Sequence, residues 1–402
     1  MKNRSISTST QPSPTRFEAV PLLDLQRQYA SIREEVLPAI ERVCSSQHFI
    51  LGPEVSALEK ELPRFTGSTN AVGCGSGTDA LWLALLACGV GPGDYVITTP
   101  FSFFASASAI VRTGARPVFV DIDPATFNMD CSQLEQKLRS GSVRNLKAIV
   151  PVHLFGQCAD MGRLEKLCRE FGVAMVEDAA QAIGAAWQGR RAGAWGGAAA
   201  FSFYPTKNLS AYGDAGAVTT SDPERAEHMR RLRNHGSPRR YYHEEFGWNS
   251  RLDEIQAAVL RVKLPHVEAW NDSRRERAAS YDRLFVRSGL AATAPSNRVS
   301  HAVPVEIPYR ASSAHHVFHQ YVIRADRRDE LRQFLTQRRI GTEVYYPVPL
   351  HLQSCFEYLG YRAGDLPEAE RAASELLALP IFPELTEAEQ TWVVESIVEF
   401  YS

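Results

Sequence analysis

The chain has 402 residues, with 44 Lys and Arg against 46 Asp and Glu and a formal net charge of −2. That length supports a sizeable core and two domains, while the mixed, near-neutral charge excludes a nucleic-acid or anionic-membrane binder that works by bulk charge. The seven cysteines are scattered, with no C-x-x-C pair, which argues against a disulfide framework or a zinc site and for a reducing compartment.

The first fifteen residues, MKNRSISTSTQPSPT, are polar and rich in Ser, Thr and Pro. They lack the apolar centre of a secretory signal, so a disordered tail is expected over 1–16. No apolar run reaches membrane-spanning length, and a cytoplasmic protein is expected. Ile32, Val36, Ile40 and Val43 recur at helical spacing within 24–45, and a second helix follows the Gly52-Pro53 break over 54–65. From 70 to 220 short apolar runs alternate with helical stretches. That pattern predicts an α/β fold with a mostly parallel sheet covered on both faces. A basic helix is expected over 223–234, then a long polar and aromatic loop, SPRRYYHEEFGWN. The large domain is placed at 17–251, a connecting helix at 252–286, and a smaller C-terminal α+β domain at 287–402. Within that domain strands are expected near 303–307 and 317–323, with helices at 327–339 and 367–377.

Four stretches carry chemistry. NAVGCGSGTDAL passes through Gly73, Gly75 and Gly77 into an apolar helix, and a glycine-rich turn opening a helix suits an anion. Thr78 stands where the dinucleotide fingerprint requires its last glycine, and no G-K-[ST] follows, so the turn reads as a phosphate cup of another kind. TPFSFFAS places Phe101, Phe103 and Phe104 after a strand, where one ring can stack on a flat cofactor and the others pack in the core. VAMVEDAAQAIGA ends a buried strand at Glu177-Asp178. Ligands of open α/β sheets sit at that end of strands, and a buried carboxylate calls for a cation; a plain helix N-cap is the other reading of Asp178. FSFYPTKNLSAYGDAGAVTT presents Lys207 between a strand and a loop. A lysine held there suits covalent catalysis, and a solvated loop lysine is the alternative.

Taken together, GSGTDAL, TPFSFFAS, PVHLFGQCADM, EDAAQAIGA, FSFYPTKNL, GDAGAV and WNSRLDEIQAA resemble the sugar-nucleotide aminotransferases of the DegT/DnrJ/StrS type, which are fold-type I enzymes of pyridoxal 5'-phosphate. The resemblance runs from about Val20 to the C-terminus. It implies that Lys207 bonds the cofactor and moves the proton, and that Asp178 pairs with the ring nitrogen. It further implies that Gln181 meets the ring hydroxyl, that Phe103 stacks on the ring, and that Gly77, Thr78 and Ser202 hold the phosphate. Asn249 is implied to reach that phosphate from the second subunit of a homodimer with shared active sites, with Arg251 close by. Relatives with histidine at the lysine position are dehydratases, and this chain has Lys207. The implied reaction is a ping-pong transfer of an amino group from an amino acid, glutamate, to a nucleotide-linked keto sugar. The loop after 234 resembles enzymes of 3-keto sugar nucleotides; a 4-keto-6-deoxy sugar nucleotide is the second substrate reading, and a non-catalytic regulator that binds the cofactor is the other class. Arg239, Arg240 and Arg251 are candidates for the nucleotide diphosphate. His153 and His351 are candidates for the sugar pocket, as is Tyr345, which stands where many relatives have histidine. His315, His316 and His319 do not have metal-ligand spacing, and no metal is expected.

Overall fold

The computed structural model describes residues 19–292 and 303–402, so the tail expected over 1–16 lies outside the described residues. The strands are β1 (Asn70–Cys74), β2 (Tyr95–Thr98), β3 (Arg116–Phe119), β4 (Leu146–Val150), β5 (Ala174–Asp178), β6 (Ala186–Trp187), β7 (Arg190–Arg191), β8 (Ala198–Ser202), β9 (Gly216–Thr220), β10 (Val305–Glu306), β11 (Ala314–His315), β12 (Tyr321–Ala325) and β13 (Leu376–Leu379). The helices are α1 (Leu25–Ser46), α2 (Pro53–Thr66), α3 (Gly77–Ala87), α4 (Ala105–Arg112), α5 (Cys131–Arg139), α6 (Met161–Phe171), α7 (Pro223–Leu232), α8 (Glu254–Lys263), α9 (Val267–Arg287), α10 (Arg328–Gln337), α11 (Pro367–Glu375) and α12 (Glu387–Tyr401).

Seven strands form the large sheet in the order β1-β9-β8-β5-β4-β2-β3. The pairs β2–β3, β2–β4, β4–β5 and β5–β8 are parallel, and β9 runs antiparallel to both β8 and β1. The apolar runs of the sequence are explained by two buried faces. Ala71, Ile97, Ile149, Ala199, Phe201 and Ala217 pack on one face with α2, α5, α6 and α8. Their neighbours Val72, Val96, Ala148, Ala200 and Val218 pack on the other with α3, α4 and α7. Successive strand residues point to opposite faces, so a strand covered on both sides must be apolar throughout. Helix α3 is buried from Ala80 to Leu85, as its all-round apolar sequence requires.

A second sheet, β10-β12-β13, is antiparallel and is covered by α9, α10 and α12. The first described residues join it: Val20 donates to the Arg339 carbonyl at 2.9 Å and packs in the same core. Three expected elements differ. The long helix expected over 252–286 is interrupted by a 3-10 turn at Leu264–His266, because Pro265 has no N–H to give the ladder. The helix expected over 367–377 stops at Glu375, and Leu376–Leu379 becomes β13 through pairing with β12, a long-range demand that overrides local helix propensity. The strand expected over 317–323 begins at Tyr321; Ala314 and His315 pair instead with β6.

Two histidines expected near a sugar pocket, His153 and His351, are buried against partners within the chain. His153 is 0% exposed. Its Nδ1 accepts the Ala159 N–H at 3.3 Å, so the ring hydrogen is on Nε2, which lies 3.0 Å from Glu177 Oε2. Glu177 also accepts the backbone N–H groups of Gly193, Trp195 and Gly196. His351 is likewise buried, with Nε2 3.1 Å from Glu370 Oε1. Both ring nitrogens of His153 are paired within the chain. His153→Leu deprives a buried carboxylate of one donor and leaves the Ala159 N–H unpaired, at a cost of about 2–4 kcal/mol. Urea unfolding should show that loss, with ligand affinity of the folded protein unchanged; a large loss of affinity at full stability would return His153 to a binding role.

Candidate active site

The carboxyl ends of the parallel strands converge on one edge of the sheet, the usual ligand edge of such folds. Helix α3 starts there, immediately after β1. Its cap is Ser76, whose Oγ accepts the Asp79 N–H at 3.1 Å. The helix end is pressed against β8 and β9: a Cβ on Gly77 would stand 2.6 Å from Ser202 Cβ, and one on Gly216 would stand 2.3 Å from the Ser76 carbonyl oxygen. Glycine at both positions is what lets Gly77, Thr78 and Ser202 gather at a helix N-terminus, where free N–H groups and the helix dipole suit a phosphate.

Asp178 is the last residue of β5 and is 5% exposed. Its backbone continues the ladder beyond the strand, donating to the Pro151 carbonyl at 2.9 Å and accepting the His153 N–H at 3.0 Å. The side chain accepts the Ser106 hydroxyl at 2.7 Å on Oδ2 and the Ala180 N–H at 3.2 Å on Oδ1. Burial pushes its pKa up, against the pull of Ser106, Ala180 and Lys207. Among the described residues no cation lies within ion-pair distance of it, so it fits a buried cation such as a protonated pyridine nitrogen.

Lys207 follows β8, in a turn closed by its own N–H donating to the Tyr204 carbonyl at 2.9 Å. Burial lowers its pKa to about 8, although the Asp178 charge opposes the shift. The loop is pinned on both sides. Beyond Lys207, Lys263 donates to Ser210 Oγ at 3.0 Å and Tyr212 N–H donates to Gln256 Oε1 at 2.8 Å. Next to Lys207, Asn208 enters a chain of fixed polarity. Asn271 Nδ2 donates to the Ile183 carbonyl at 3.0 Å, so its Oδ1 accepts Asn208 Nδ2 at 2.7 Å. Asn208 Oδ1 then faces His319 Nδ1 at 3.1 Å, which must carry the hydrogen. Burial, then the charges of Lys207 and Arg274, hold His319 well below the usual histidine range, so the ring stays neutral.

Phe103 is 60% exposed, a ring presented rather than packed, beside the half-buried ring of Tyr346. Gln181 bonds Tyr346 and the Phe155 backbone. Asn249 is exposed and pairs in a short bridge with Asn234. The segment after it lies against the glycine turn of its own chain, with Ser250 Cα 3.9 Å and the Arg251 carbonyl oxygen 3.7 Å from where a Gly75 Cβ would be. Arg251 bonds Asn234 Oδ1 at 3.3 Å. Arg239 and Arg240 stand apart on the exposed 237–249 loop, each guanidinium over a neighbouring tyrosine ring at 3.7 and 4.9 Å. Tyr345 is half-buried next to Tyr346. Among the described residues no three His, Cys, Asp or Glu are grouped to hold a metal. The sequence reading missed Ser106, Asn208, His319 and Tyr346 as site residues. Ser106 and Asn208 were legible in principle, since they lie inside TPFSFFAS and PTKNL; Tyr346 and His319 are brought in only by the second sheet's packing.

Known proteins are similar to this chain over most of its length. The DegT/DnrJ/EryC1/StrS aminotransferase family profile matches residues 30–398. The chain is 50% identical over 384 residues to the "Pleiotropic regulatory protein" of Geobacillus stearothermophilus, covering 95% of this chain and 98% of that one. It is 41% identical over 375 residues to the UDP-N-acetyl-3-dehydro-alpha-D-glucosamine 3-aminotransferase of Acidithiobacillus ferrooxidans, covering 93% and 96%. The crystal structure of Streptomyces venezuelae DesV in complex with a ketimine intermediate superposes with a TM-score of 0.88 at 42% identity, covering 95% of this chain and 98% of that chain. Agreement in sequence and in fold from end to end shows that the chain belongs to the DegT/DnrJ/EryC1/StrS aminotransferase family.

Proposed function

We propose that the protein is a cytoplasmic, pyridoxal-phosphate-dependent transaminase that transfers an amino group from glutamate to a nucleotide-linked sugar ketone at C3. The observation that carries the reading is Lys207 with its pKa lowered to about 8, together with a buried Asp178 that has hydrogen bonds but no ion-pair partner among the described residues. Pyridoxal phosphate, when bound, supplies an aldehyde for a lysine and a ring that withdraws electrons. Asp178 would keep the ring nitrogen protonated, and Ser106 holds that carboxylate in orientation. A lysine with a pKa near 8 has a substantial neutral fraction around neutral pH, so Lys207 serves as nucleophile and then as proton carrier. Gly77, Thr78 and Ser202 would take the phosphate, Phe103 the ring face and Gln181 the ring hydroxyl. Arg239, Arg240 and Arg251 are proposed for the nucleotide diphosphate and Tyr345 for the sugar. The name of the Acidithiobacillus relative supports C3 over a 4-keto-6-deoxy substrate. The name of the Geobacillus relative favours one other reading, a regulator that binds the cofactor without turnover; the complete pair of Lys207 and Asp178 speaks for catalysis.

Purified protein with pyridoxal phosphate should be yellow, and borohydride should fix the cofactor on the peptide that holds Lys207. Lys207→Ala should abolish the fixation and reduce turnover by several orders of magnitude. Label on another lysine overturns the assignment, and normal fixation with no turnover on any keto sugar nucleotide favours the regulator.

Sites shared across a homodimer are proposed on the exposure of Asn249 at the edge of the phosphate cup. Lys207→Ala and Asn249→Trp, each inactive alone, should restore activity to about a quarter of wild type or less when co-expressed, because one site in each mixed dimer is then intact. Mixed dimers without recovery would place Asn249 in the site of its own chain.

A further inference from the structure

Two carboxylates border the glycine turn that opens α3. Glu59 on α2 accepts the Gly73 N–H at 2.9 Å. Asp79 stands in the first turn of α3, and its Oδ2 lies 3.1 Å from where a Gly75 Cβ would be. Burial first, and then the Asp79 charge, push the Cys74 thiol at the end of β1 up, so that charge is felt within the turn. Acids here work against a phosphate. A carboxylate in the first turn draws on the same helix dipole that attracts the anion, and like charges repel at short range.

Each acid is matched by a guanidinium. Arg233, buried at the end of α7, donates to Glu59 and to the Gly73 carbonyl, so that pair is built into the backbone of the turn. Asp79 is matched differently. Arg112, in the last turn of α4, donates to its Oδ1 at 2.5 Å. The same guanidinium lies 3.9 Å over the ring of Trp82, which is buried one turn further along α3. Trp82 in turn meets Trp248 edge-on, with centroids 4.2 Å apart. Arg112 is thus stacked in place by the helix whose start it neutralises. Among the described residues Asp79 has no other ion-pair partner. The two side chains are 40% and 19% exposed, so the pair contributes little to folding. What it changes is the charge that an anion meets at the turn.

We propose that Arg112 sets the affinity of the glycine turn for a phosphate dianion by cancelling the charge of Asp79. The inference rests on the cofactor reading above, which assigns the phosphate to Gly77, Thr78 and Ser202, and it adds two residues outside that set. With both charges present the pair is neutral, and the N–H groups and dipole of α3 act unopposed. Without Arg112 the Asp79 charge is left bare beside the turn; without Asp79 the Arg112 charge is left in excess.

The measurement is the dissociation constant of pyridoxal phosphate from the cofactor-stripped full chain, set beside that of pyridoxal, which has the same ring and aldehyde and no phosphate. Arg112→Met keeps an unbranched stem on Trp82 and removes the charge; an unchanged melting temperature checks the fold. At low salt it should weaken pyridoxal phosphate about tenfold, leave pyridoxal within about twofold of wild type, and lose most of that difference as salt screens the charges. Asp79→Asn should tighten pyridoxal phosphate about threefold. Arg112→Met combined with Asp79→Asn should return to within about twofold of wild type, because the pair is again neutral. A loss that the second substitution does not repair, or an equal loss for pyridoxal, assigns Arg112 to packing and overturns the inference, as does Arg112→Met that binds pyridoxal phosphate like wild type. Should Arg112→Met lose the fold, Asp79→Asn alone decides, and unchanged affinity there overturns the inference. Each of these outcomes leaves the transaminase standing. Wild-type protein that takes up no pyridoxal phosphate overturns the proposed function and this inference with it.

Discussion

Two buried carboxylates at adjacent positions, Glu177 and Asp178, are the constraint around which the site is arranged. They end β5 and point to opposite faces. A charge buried in a sheet core is tolerated only when donors or a cation compensate it. Glu177 is compensated within the fold, by three backbone N–H groups and the His153 ring. That shell orders the loop from Gly193 to Gly196 and leaves Glu177 no free valence for chemistry. Asp178 has the sparser shell of Ser106 and Ala180, together with the Lys207 charge. The same functional group thus sits in two different shells, and the number of fixed donors around each sets the two apart.

Lys207 depends on that arrangement and on how firmly its loop is held. Desolvation lowers its proton affinity and Asp178 restores part of it, so the amine is tuned by the balance of two opposed effects. Tuning is useful only if the amine is held in place. Asn208, Ser210 and Tyr212 each anchor the loop to a different support: the amide of Asn271 on α9, the buried Lys263 on α8, and Gln256 on the same helix. Among the described residues Lys263 has no carboxylate partner, and burial lowers its pKa to about 8, which eases its place in the core beside Ser210.

The second sheet reaches the site through a few polar joints. Arg274 on α9 is buried and donates to the carbonyls of Phe318, His319 and Ile381. This ties the start of β12, the end of β13 and the bridging helix into one body, which carries His319 to Asn208 and supports Tyr346 against Phe101. Helix α8 is joined to α2 by Glu254, whose carboxylate accepts the N–H groups of Gly52, Glu54 and Val55 at the helix start, where the dipole favours negative charge. The elements behind the Lys207 loop are therefore braced at both ends.

The sequence alone determined the α/β class, the first two helices to within a residue at each end, the glycine turn before α3, and the position of Asp178 at a strand's carboxyl end. Those features are local: apolar runs of strand length, glycine and proline at breaks, and motifs in which neighbours along the chain are also neighbours in space. The tertiary structure decided what depends on distant pairing. Leu376 and Leu377 are expected at the end of a helix and belong to a strand because β12 offers them a ladder. His153 stands in a motif shared with the family and is nonetheless a core residue, because Glu177 faces it across the β4–β5 ladder. Tyr346 and His319 lie far along the chain from Gln181 and Asn208, and no spacing rule links them. Only the packing of the second sheet against the first brings each within 3.1 Å of its partner, since hydrogen bonds select on distance in space and are blind to separation in sequence.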